Sequence, residues 1–349
     1  MEGIVFTGDR KLELRTFDDP TPGPGEVVLQ IKASGMCGSD LKFYRSAPGE
    51  AMKALGFSPG TAVIAGHEPC GVVVAVGPDV NPKQARIGQR VMVHHYRGCG
   101  ACPHCSSGWQ QMCVEGVAEV YGITGHGGHA RYMKTPASTI VRLPDELSFE
   151  TGAAISCGTG TAWGALKRLE LTGEQTIAIF GQGPVGLSAT QLASALGARV
   201  IALDVSEARL KRAKELGADE VINPLETDAV AAIKQLTHGL GAHATLDASS
   251  SAEARRQCVQ SVRTWGKACL VGEGGQMTMD VSPDMLRRQV TLIGSWTFST
   301  IGQAECAQYI ADRGIDVDQL FTERWTLDQA VEAYQLFDQQ TSGKGVFVF

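Results

Sequence analysis

A regular alternation of apolar and amphipathic segments, which begins near Glu174, limits the fold of this chain more than any other feature of the sequence. Six short apolar segments predict β-strands, at residues 176–180, 199–204, 220–223, 244–247, 268–271 and 291–294. Amphipathic helices are predicted between them; one carries Leu210, Ala213 and Leu216 and is followed by Gly217, where a helix cap is expected. Strands that alternate with helices are typical of an α/β fold with a doubly wound parallel sheet.

The chain on either side of this region has a different pattern. Before it, glycine and proline separate short apolar segments, which predicts a small, partly open antiparallel barrel. The strands of this barrel are expected at residues 27–32, 71–76, 90–94 and 130–134. After it, helices are predicted at residues 303–313 and 327–337 and an apolar segment at 346–349. These last ~50 residues are too few for a domain, so we expect them to return to the first one.

Length and charge exclude several classes of function. The 349 residues correspond to about two domains of ~100–200 residues each. A formal charge of -6, with no dense cluster of Lys and Arg, gives no basic surface for a phosphate backbone, so a nucleic-acid partner is not expected. The N-terminus lacks a basic patch followed by an apolar stretch, and no apolar segment approaches the ~20 residues that span a bilayer. We therefore expect a soluble, cytoplasmic protein with no membrane partner.

Four cysteines lie close together in the spacing C-x2-C-x2-C-x7-C. They are Cys99, Cys102, Cys105 and Cys113. Thiolates this near in sequence can converge on one Zn²⁺, which binds four of them tetrahedrally at Zn–S distances of ~2.3 Å. Such a closed site leaves no position for a substrate, so we expect it to hold a loop. Unrelated free thiols and a disulfide pair are the alternatives.

A glycine-rich turn follows the first strand that is predicted in the α/β region. It reads Gly181-Gln182-Gly183-Pro184-Val185-Gly186 and precedes a predicted helix at residues 187–196. Between a strand and a helix, the G-x-G-x-x-G pattern predicts a dinucleotide site, in which backbone amides approach a pyrophosphate. Asp204, at the end of the second predicted strand, is expected to bind the adenosine ribose hydroxyls, which favours NAD over NADP.

Other residues near the strand ends are candidates for further nucleotide contacts. Arg209 is expected beside the adenosine, with a solvated helix charge as the alternative. Val271, Gly272, Ser295 and Trp296 follow later strands and are candidate neighbours of the nicotinamide. For these four residues, ordinary packing is an equal alternative.

Three more residues could form a second metal site. Cys37 and His67 each lie in a glycine-flanked turn after an apolar stretch, and Cys157 precedes the α/β region. Cys37 and His67, each taken alone, are more often structural residues than ligands. Together, two thiolates, one imidazole and an open fourth position would form a catalytic zinc site and not a structural one.

The chain resembles the zinc-dependent medium-chain dehydrogenases, which include alcohol, polyol and threonine dehydrogenases, over essentially its whole length. The resemblance rests on Cys37-Gly38-Ser39-Asp40, Gly66-His67-Glu68, the four cysteines and the glycine-rich turn, in that family's order. It implies a catalytic GroES-like barrel over residues 1–158, with both zinc sites in or beside it, and a Rossmann domain over 159–295. It also implies a segment over 296–349 that returns to the first domain, and assembly into a homodimer or homotetramer.

The resemblance also assigns roles to individual residues. Glu68 would be an outer-sphere carboxylate near the reactive zinc, able to displace water transiently. Asp40 would fix the tautomer of His67, with an ordinary turn as the alternative. Ser39 would accept the substrate proton and pass it toward the nicotinamide ribose. The histidine that usually continues this relay is replaced by Lys42, which leaves the last step open.

The activity that the resemblance implies is reversible oxidation of a primary or secondary alcohol, including a polyol or hydroxy-acid derivative, to an aldehyde or ketone with NAD. By position, His95 would line the substrate pocket; a surface or core pair formed by His94 and His95 is an equal alternative. The segment 45–63 would shape the mouth of the pocket. Lys42 and His95 hint at a polar or anionic substrate. The alternatives are a zinc- and nucleotide-binding protein without turnover, and a carbon–carbon double-bond reductase of the same superfamily.

Overall fold

The computed structural model describes residues 1–54, 62–339 and 343–349, and the chain divides into two compact units. Met1–Gly160, Phe298–Gln340 and Lys344–Phe349 form the first unit, and the second contains Thr161–Thr297. Residues 55–61 of the segment 45–63, which was expected to shape a pocket mouth, lie outside the described residues. Among the residues described, none of the helices combines the length and the apolar character that crossing a membrane requires.

The N-terminal part of the first unit consists mainly of short strands. The strands are β1 (Glu2–Gly8), β2 (Lys11–Thr16), β3 (Glu26–Gly35), β4 (Glu68–Val76), β5 (Arg90–Val93), β6 (Tyr96–Arg97), β7 (Glu119–Val120), β8 (Tyr132–Pro136) and β9 (Ile140–Arg142). The helices are α1 (Asp40–Arg45), α2 (Glu50–Ala54), α3 (Pro103–Ser106) and α4 (Phe149–Ile155), with 3-10 turns at Gln110–Met112 and Ala137–Thr139. The β1–β2 hairpin was not predicted, because its second strand is almost wholly exposed and carries little apolar signal.

The second unit alternates strands and helices. A helix, α5 (Gly158–Leu169), leads into it. Its strands are β10 (Thr176–Phe180), β11 (Arg199–Leu203), β12 (Glu220–Ile222), β13 (Ala242–Asp247), β14 (Val262–Leu270) and β15 (Thr291–Gly294). Its helices are α6 (Pro184–Ala195), α7 (Glu207–Glu215), α8 (Ala229–Leu236), α9 (Ala252–Ser261) and α10 (Val281–Asp284), with a 3-10 turn at Leu286–Arg288. The helix α7 ends as expected, because Gly217 has a φ of 103°.

The strands of the second unit form one parallel sheet in the order β12-β11-β10-β13-β14-β15. This is the doubly wound α/β fold that the alternation predicts. The strand predicted at 268–271 begins earlier, at Val262, because its first part pairs with Ala242 before the register shifts. Continuous apolar runs such as Ile177, Ala178 and Ile179 form the central strands, because a parallel sheet is covered on both faces.

The C-terminal part of the chain completes the first unit. It contains α11 (Thr300–Arg313), β16 (Phe321–Trp325), α12 (Ala330–Asp338) and β17 (Lys344–Val348), with 3-10 turns at Val317–Leu320 and Leu327–Gln329. The sheet of this unit has the order β16-β17-β3-β4-β5-β9, and β8 pairs with β3. Because β17 runs antiparallel to β3 and aligns Val346 with Gly35, the end of the chain lies beside the turn that carries Cys37.

Candidate metal centres and nucleotide site

The four clustered cysteines converge on one point in the first unit. The sulfurs of Cys99 and Cys105 are 4.0 Å apart, and those of Cys102 and Cys113 are also 4.0 Å apart. A tetrahedral zinc ion with Zn–S bonds of ~2.3 Å separates its sulfurs by ~3.8 Å. A disulfide needs an S–S distance of ~2.05 Å, so these pairs are not disulfides. The spacing of the sulfurs suits one ion with four thiolate ligands.

Backbone amides point at these sulfurs. The N–H groups of Cys99 and Cys102 donate to Cys113 Sγ and Cys99 Sγ, each at 3.3 Å. The N–H of Cys105, in the short helix α3, donates to Cys102 Sγ. This hydrogen bond is the main reason why the pKa of the Cys102 thiol is lowered to about 6. At Gly98, a Cβ would overlap the Cys105 sulfur. The local backbone is therefore shaped to accept four sulfurs and stabilises the Cys102 thiolate, whereas burial raises the pKa of the Cys105 thiol to about 12.

The second group of candidate ligands comes from three separate parts of the first unit. Cys37 follows the end of β3, His67 immediately precedes β4, and Cys157 lies between α4 and α5. The sulfurs of Cys37 and Cys157 are 3.9 Å apart, although 120 residues separate them in sequence. With His67 and Glu68, each contributes one donor atom to a cluster in which all atoms lie within 4.8 Å of one another. Within the described part of the chain, this cluster and the four cysteines are the two groups able to hold a metal ion.

The two thiols of this cluster have opposite pKa shifts in the metal-free chain. The hydrogen bond with Cys157 lowers the pKa of Cys37 well below its usual value, and His67 lowers it further against the effect of burial. The same hydrogen bond, together with burial, raises the pKa of Cys157. The shared hydrogen bond therefore favours a thiolate at Cys37 and a thiol at Cys157. Because a metal requires thiolates, binding at this cluster must release a proton.

Two polar side chains from the start of α1 lie on opposite sides of the His67 ring. Asp40 Oδ1 lies 2.9 Å from His67 Nδ1, and both side chains are buried. Ser39 Oγ lies 3.1 Å from His67 Nε2 and 3.3 Å from Cys37 Sγ. Ser39 is the N-cap residue of α1, but its hydroxyl makes no capping bond to the helix. The arrangement leaves Nε2 on the side of the two thiols, as a zinc ligand requires.

A lysine that the sequence did not single out lies beside the carboxylate of this cluster. Lys344, in β17, forms an ion pair with Glu68 and also donates to the Met36 carbonyl at 3.0 Å. Both charged side chains are almost fully buried. Burial raises the pKa of Glu68 to about 8, against the lowering effect of Lys344. The only signal in the sequence was a charged residue just before the apolar segment 346–349, and that position alone gives no partner.

The other predicted site residues of the first unit, His95 and Lys42, differ in burial. His95 is buried, with its Nδ1 2.9 Å from the Ser156 carbonyl and its ring centroid 5.3 Å from that of His67. Because a carbonyl only accepts, Nδ1 of His95 carries the proton. Burial is the main cause that lowers the pKa of His95 well below its usual value, so the ring is neutral. Lys42 lies on the exposed side of α1.

The glycine-rich turn of the second unit connects β10 to α6. Gly181 has a φ of 90°, which favours glycine. At Gly186, a Cβ would overlap the Gly181 carbonyl oxygen, so the helix can pack closely only without a side chain there. At Gly183, the N-cap residue of α6, a Cβ would meet nothing within 4 Å. The turn therefore leaves open space at the N-terminus of a helix, where a phosphate is stabilised.

Two predicted contacts of the adenosine lie at the end of β11. Asp204 accepts hydrogen bonds from the backbone N–H of Gln182 at 2.6 Å and of Ser206 at 2.9 Å. Arg209, in α7, has its guanidinium 3.9 Å from the Asp204 carboxylate. Asp204 therefore joins the end of β11 to the glycine-rich turn, and Arg209 lies next to Asp204 at this edge of the sheet.

The remaining candidates follow the last two strands of the same sheet. The N–H of Val271 donates to the Asp247 carbonyl at 2.9 Å, and the N–H of Ser295 donates to the Leu270 carbonyl at 3.0 Å. These bonds continue the parallel pairing past the ends of β14 and β15. Both residues therefore lie at the carboxyl edge of the sheet, where α/β folds of this kind bind ligands.

Two family models match the chain. An alcohol dehydrogenase GroES-like domain matches residues 23–145, and a zinc-binding dehydrogenase domain matches residues 184–312. The uncharacterized zinc-type alcohol dehydrogenase-like protein YphC of Escherichia coli is 37% identical over 357 residues, which cover 100% of this chain and 99% of that protein. An alcohol dehydrogenase of Geobacillus stearothermophilus is 34% identical, over 88% of each chain.

A solved structure has the same fold. Acetophenone reductase from Geotrichum candidum, determined in complex with NAD, superposes with a TM-score of 0.81. The two sequences are 27% identical, and the match covers 100% of this chain and 97% of the reductase.

Proposed function

Because the chain belongs to the zinc-dependent medium-chain dehydrogenase family, we propose that it oxidises a primary or secondary alcohol reversibly to an aldehyde or ketone, with NAD as the hydride acceptor. One observation carries this proposal: two thiols and an imidazole, from Cys37, Cys157 and His67, converge beside a serine hydroxyl. Three protein donors leave a fourth position to a substrate, as in a catalytic zinc site. The four-cysteine cluster would hold a second, structural zinc.

The residues around His67 would have different roles in such a metal centre. Zinc, when bound there, supplies Lewis-acid chemistry that lowers the pKa of an alcohol. Asp40 faces Nδ1 of His67 and so leaves the lone pair of Nε2 for the metal. Lys344 pairs with Glu68, the fourth potential donor of the cluster, and so competes with a metal for this carboxylate. With Glu68 engaged in this way, one position stays available for the substrate oxygen.

Ser39 is the proposed acceptor of the substrate proton. Its hydroxyl lies beside two of the proposed ligands, and it is not engaged in capping α1. A hydroxyl can take a proton from the alcohol while it gives its own proton onward. Ser39 is exposed, so water can receive that proton. Lys42 is exposed on the same helix, and we propose that water takes the place of the usual histidine.

The nucleotide would bind at the carboxyl edge of the parallel sheet. The open space at Gly183 supports a pyrophosphate at the N-terminus of α6, and Asp204 supports NAD over NADP. A 2'-phosphate ~4 Å from a carboxylate is repelled by ~4 kcal/mol at an effective dielectric constant of ~20. Arg209 lies near Asp204 and offsets part of this repulsion, so we expect a preference of tens- to hundreds-fold.

The alternative functions predict a different ligand set or a different product. A double-bond reductase of this superfamily usually lacks the cluster of Cys37, His67 and Cys157, which this chain has. A binding protein without turnover would lose a ligand or Ser39, and all of these residues are present. A polar substrate such as a polyol or hydroxy acid, a cytoplasmic location and assembly as a homodimer or homotetramer remain proposals.

The test of the proposed activity is a panel of primary alcohols, secondary alcohols, polyols and hydroxy acids, assayed with NAD and with NADP. The absorbance of the reduced nicotinamide follows each reaction. We expect NAD-dependent oxidation of at least one class and loss of that activity on removal of the metal. Reduction of carbon–carbon double bonds, with no alcohol oxidised, would contradict the proposal.

A substitution at Asp204 tests the cofactor preference. Asp204→Ser removes the carboxylate, so kcat/KM for NADP should rise relative to that for NAD. The matched control is Glu207→Ala, which removes one negative charge from the exposed surface of the neighbouring helix α7. Equal or better use of NADP by the wild-type chain, or the same shift in both variants, would contradict the role of Asp204.

A further inference from the structure

Four buried polar side chains of the first unit, each in contact with the next, form a continuous row that ends beside the proposed metal ligand His67. Ser34 Oγ lies 2.8 Å from His129 Nδ1, and His129 Nε2 lies 2.8 Å from the Tyr334 hydroxyl. The Tyr334 hydroxyl donates to Asp40 Oδ2 at 3.1 Å. None of these four residues is more than 3% exposed. Polar groups buried to this extent are costly unless each is paired, and here each contacts the next.

The chemistry of the groups fixes the direction of every proton in this row. A carboxylate only accepts, so the single hydroxyl proton of Tyr334 points at Asp40. The Tyr334 oxygen must then accept from His129, which places a proton on Nε2. Burial lowers the pKa of His129 to about 4, so its ring is neutral and carries only that proton. His129 Nδ1 is therefore an acceptor, and the Ser34 hydroxyl donates to it.

The row ends on the group that orients the metal ligand. Besides the Tyr334 hydroxyl, Asp40 Oδ2 accepts the backbone N–H of Cys37 at 2.9 Å. Asp40 Oδ1 lies 2.9 Å from His67 Nδ1. The carboxylate is thus held from one side by two donors while it faces the imidazole on the other. If one donor is removed, the carboxylate gains freedom to rotate, and the tautomer of His67 is less firmly fixed.

Packing holds the two middle members of the row, Tyr334 and His129, in place. The Tyr334 ring, in α12, has its centroid 4.9 Å from that of Phe6 and 5.6 Å from that of Tyr44. A Cβ at Gly66 would overlap the His129 ring, so this ring lies directly against the residue before His67. The Tyr334 hydroxyl therefore contacts Asp40 from a well-packed position, and the His129 ring packs directly against the Gly66–His67 turn.

We propose that Tyr334 and His129 are positioning residues for the reactive metal. They hold Asp40, and through it His67, in the orientation and tautomer that bind the metal, and so help the chain to retain it. This inference rests on the proposed centre of Cys37, His67 and Cys157. Partners that orient a ligand typically contribute 10–100-fold in metal affinity. Tyr334 acts one bond further from the metal, so we expect an effect of about tenfold.

The test compares two tyrosine variants of the zinc-loaded full-length chain. Tyr334→Phe removes the hydroxyl that donates to Asp40 and keeps the packed ring. Tyr44→Phe is the matched control, because its buried ring lies in the same aromatic cluster and its hydroxyl is outside the row from Ser34 to Asp40. Zinc release to a chromogenic chelator, at constant pH, gives one rate for each metal site. The four-cysteine cluster serves as a reference within the same molecule.

We expect Tyr334→Phe to release the metal of the Cys37, His67 and Cys157 centre about tenfold faster than the wild-type chain and the Tyr44→Phe control. Release from the four cysteines should stay unchanged. Cobalt substituted at the reactive centre should also show altered visible absorption in Tyr334→Phe but not in the Tyr44→Phe control. His129→Leu should resemble Tyr334→Phe, and His129→Gln, which keeps an N–H donor, should recover part of the effect.

Two results would overturn the inference alone. If Tyr334→Phe releases the reactive-centre metal at the wild-type rate, the row does not serve the metal. If both sites of Tyr334→Phe release metal faster to the same extent, the hydroxyl serves the fold in general. A wild-type chain that binds metal only at the four cysteines would contradict the proposed function itself and the inference with it. Failure of the inference alone is thus distinguished from failure of the proposed function.

Discussion

The first unit holds two clusters of candidate metal ligands that are built in different ways. The four cysteines lie within a short segment, and backbone N–H groups donate to their sulfurs. Cys37 and Cys157 come from positions 120 residues apart and meet only in the folded chain. Charged and polar side chains surround that second cluster, notably Asp40, Glu68 and Lys344. The comparison indicates that the local chain brings the four cysteines together, whereas the fold assembles the second cluster from distant parts of the chain.

The largest expected difference between the two clusters concerns turnover. Cys157→Ala should lower kcat by at least ~10³-fold, because loss of the metal removes several kcal/mol of Lewis-acid stabilisation. Cys99→Ala should instead lower the thermal stability while the folded fraction keeps most of its activity, because a structural zinc contributes to folding. Activity assays and thermal unfolding of both variants measure the contrast.

The matched control for this pair is Cys306→Ala. Cys306 is a buried cysteine of the same unit and belongs to neither cluster. This variant should keep both metals and most of its activity. Similar losses of turnover in Cys99→Ala and Cys157→Ala would break the distinction between the clusters.

The second expected effect concerns the buried ion pair of Lys344 and Glu68 beside the second cluster. Lys344→Met leaves the Glu68 carboxyl buried without its cation. Because the pKa of this carboxyl is already about 8, it can take up a proton, so the free energy of unfolding should fall by ~1–3 kcal/mol, as for an unpaired buried polar group. The double variant Lys344→Met/Glu68→Gln removes both charges and should regain most of that loss. Denaturant unfolding of metal-loaded protein measures both values. Wild-type stability in the single variant would show that the pair does not maintain the centre.

A smaller effect is expected at the proton acceptor. Ser39→Ala should lower kcat by about 10²-fold, the lower end for loss of a group that transfers a proton. Ser39→Thr keeps a hydroxyl and should retain most of the activity. Ser46→Ala, at the other end of α1, is the control. If Ser39→Ala and Ser46→Ala gave equal rates, the proton would leave the second cluster by another route.

The smallest effect is expected at Lys42. Because this lysine is exposed on α1, Lys42→Ala should change kcat and KM by less than about threefold, as for other surface substitutions. Kinetics from pH 6 to 10 provide the measurement. A changed pH profile, or a KM raised tenfold for an anionic substrate alone, would instead give Lys42 a part in the relay or in substrate binding.

The same contrast explains how much could be predicted from the sequence. The four-cysteine segment and the turn from Gly181 to Gly186 were predicted in detail because their geometry depends on neighbours in the chain. The doubly wound sheet was predicted because each strand has its own apolar signal. Lys344 and Tyr334 were missed because their partners Glu68 and Asp40 become neighbours only when the C-terminal part of the chain completes the first unit. His129 was missed because its partners Ser34 and Tyr334 lie 95 and 205 residues away in sequence.

The number of zinc ions in each chain tests the account most directly. Elemental analysis of fully loaded, well-folded protein should find two zinc ions in the wild-type chain and one in Cys157→Ala. The ion that Cys157→Ala retains should be the one held by the four cysteines. At most one zinc ion in the wild-type chain would contradict the existence of two metal centres.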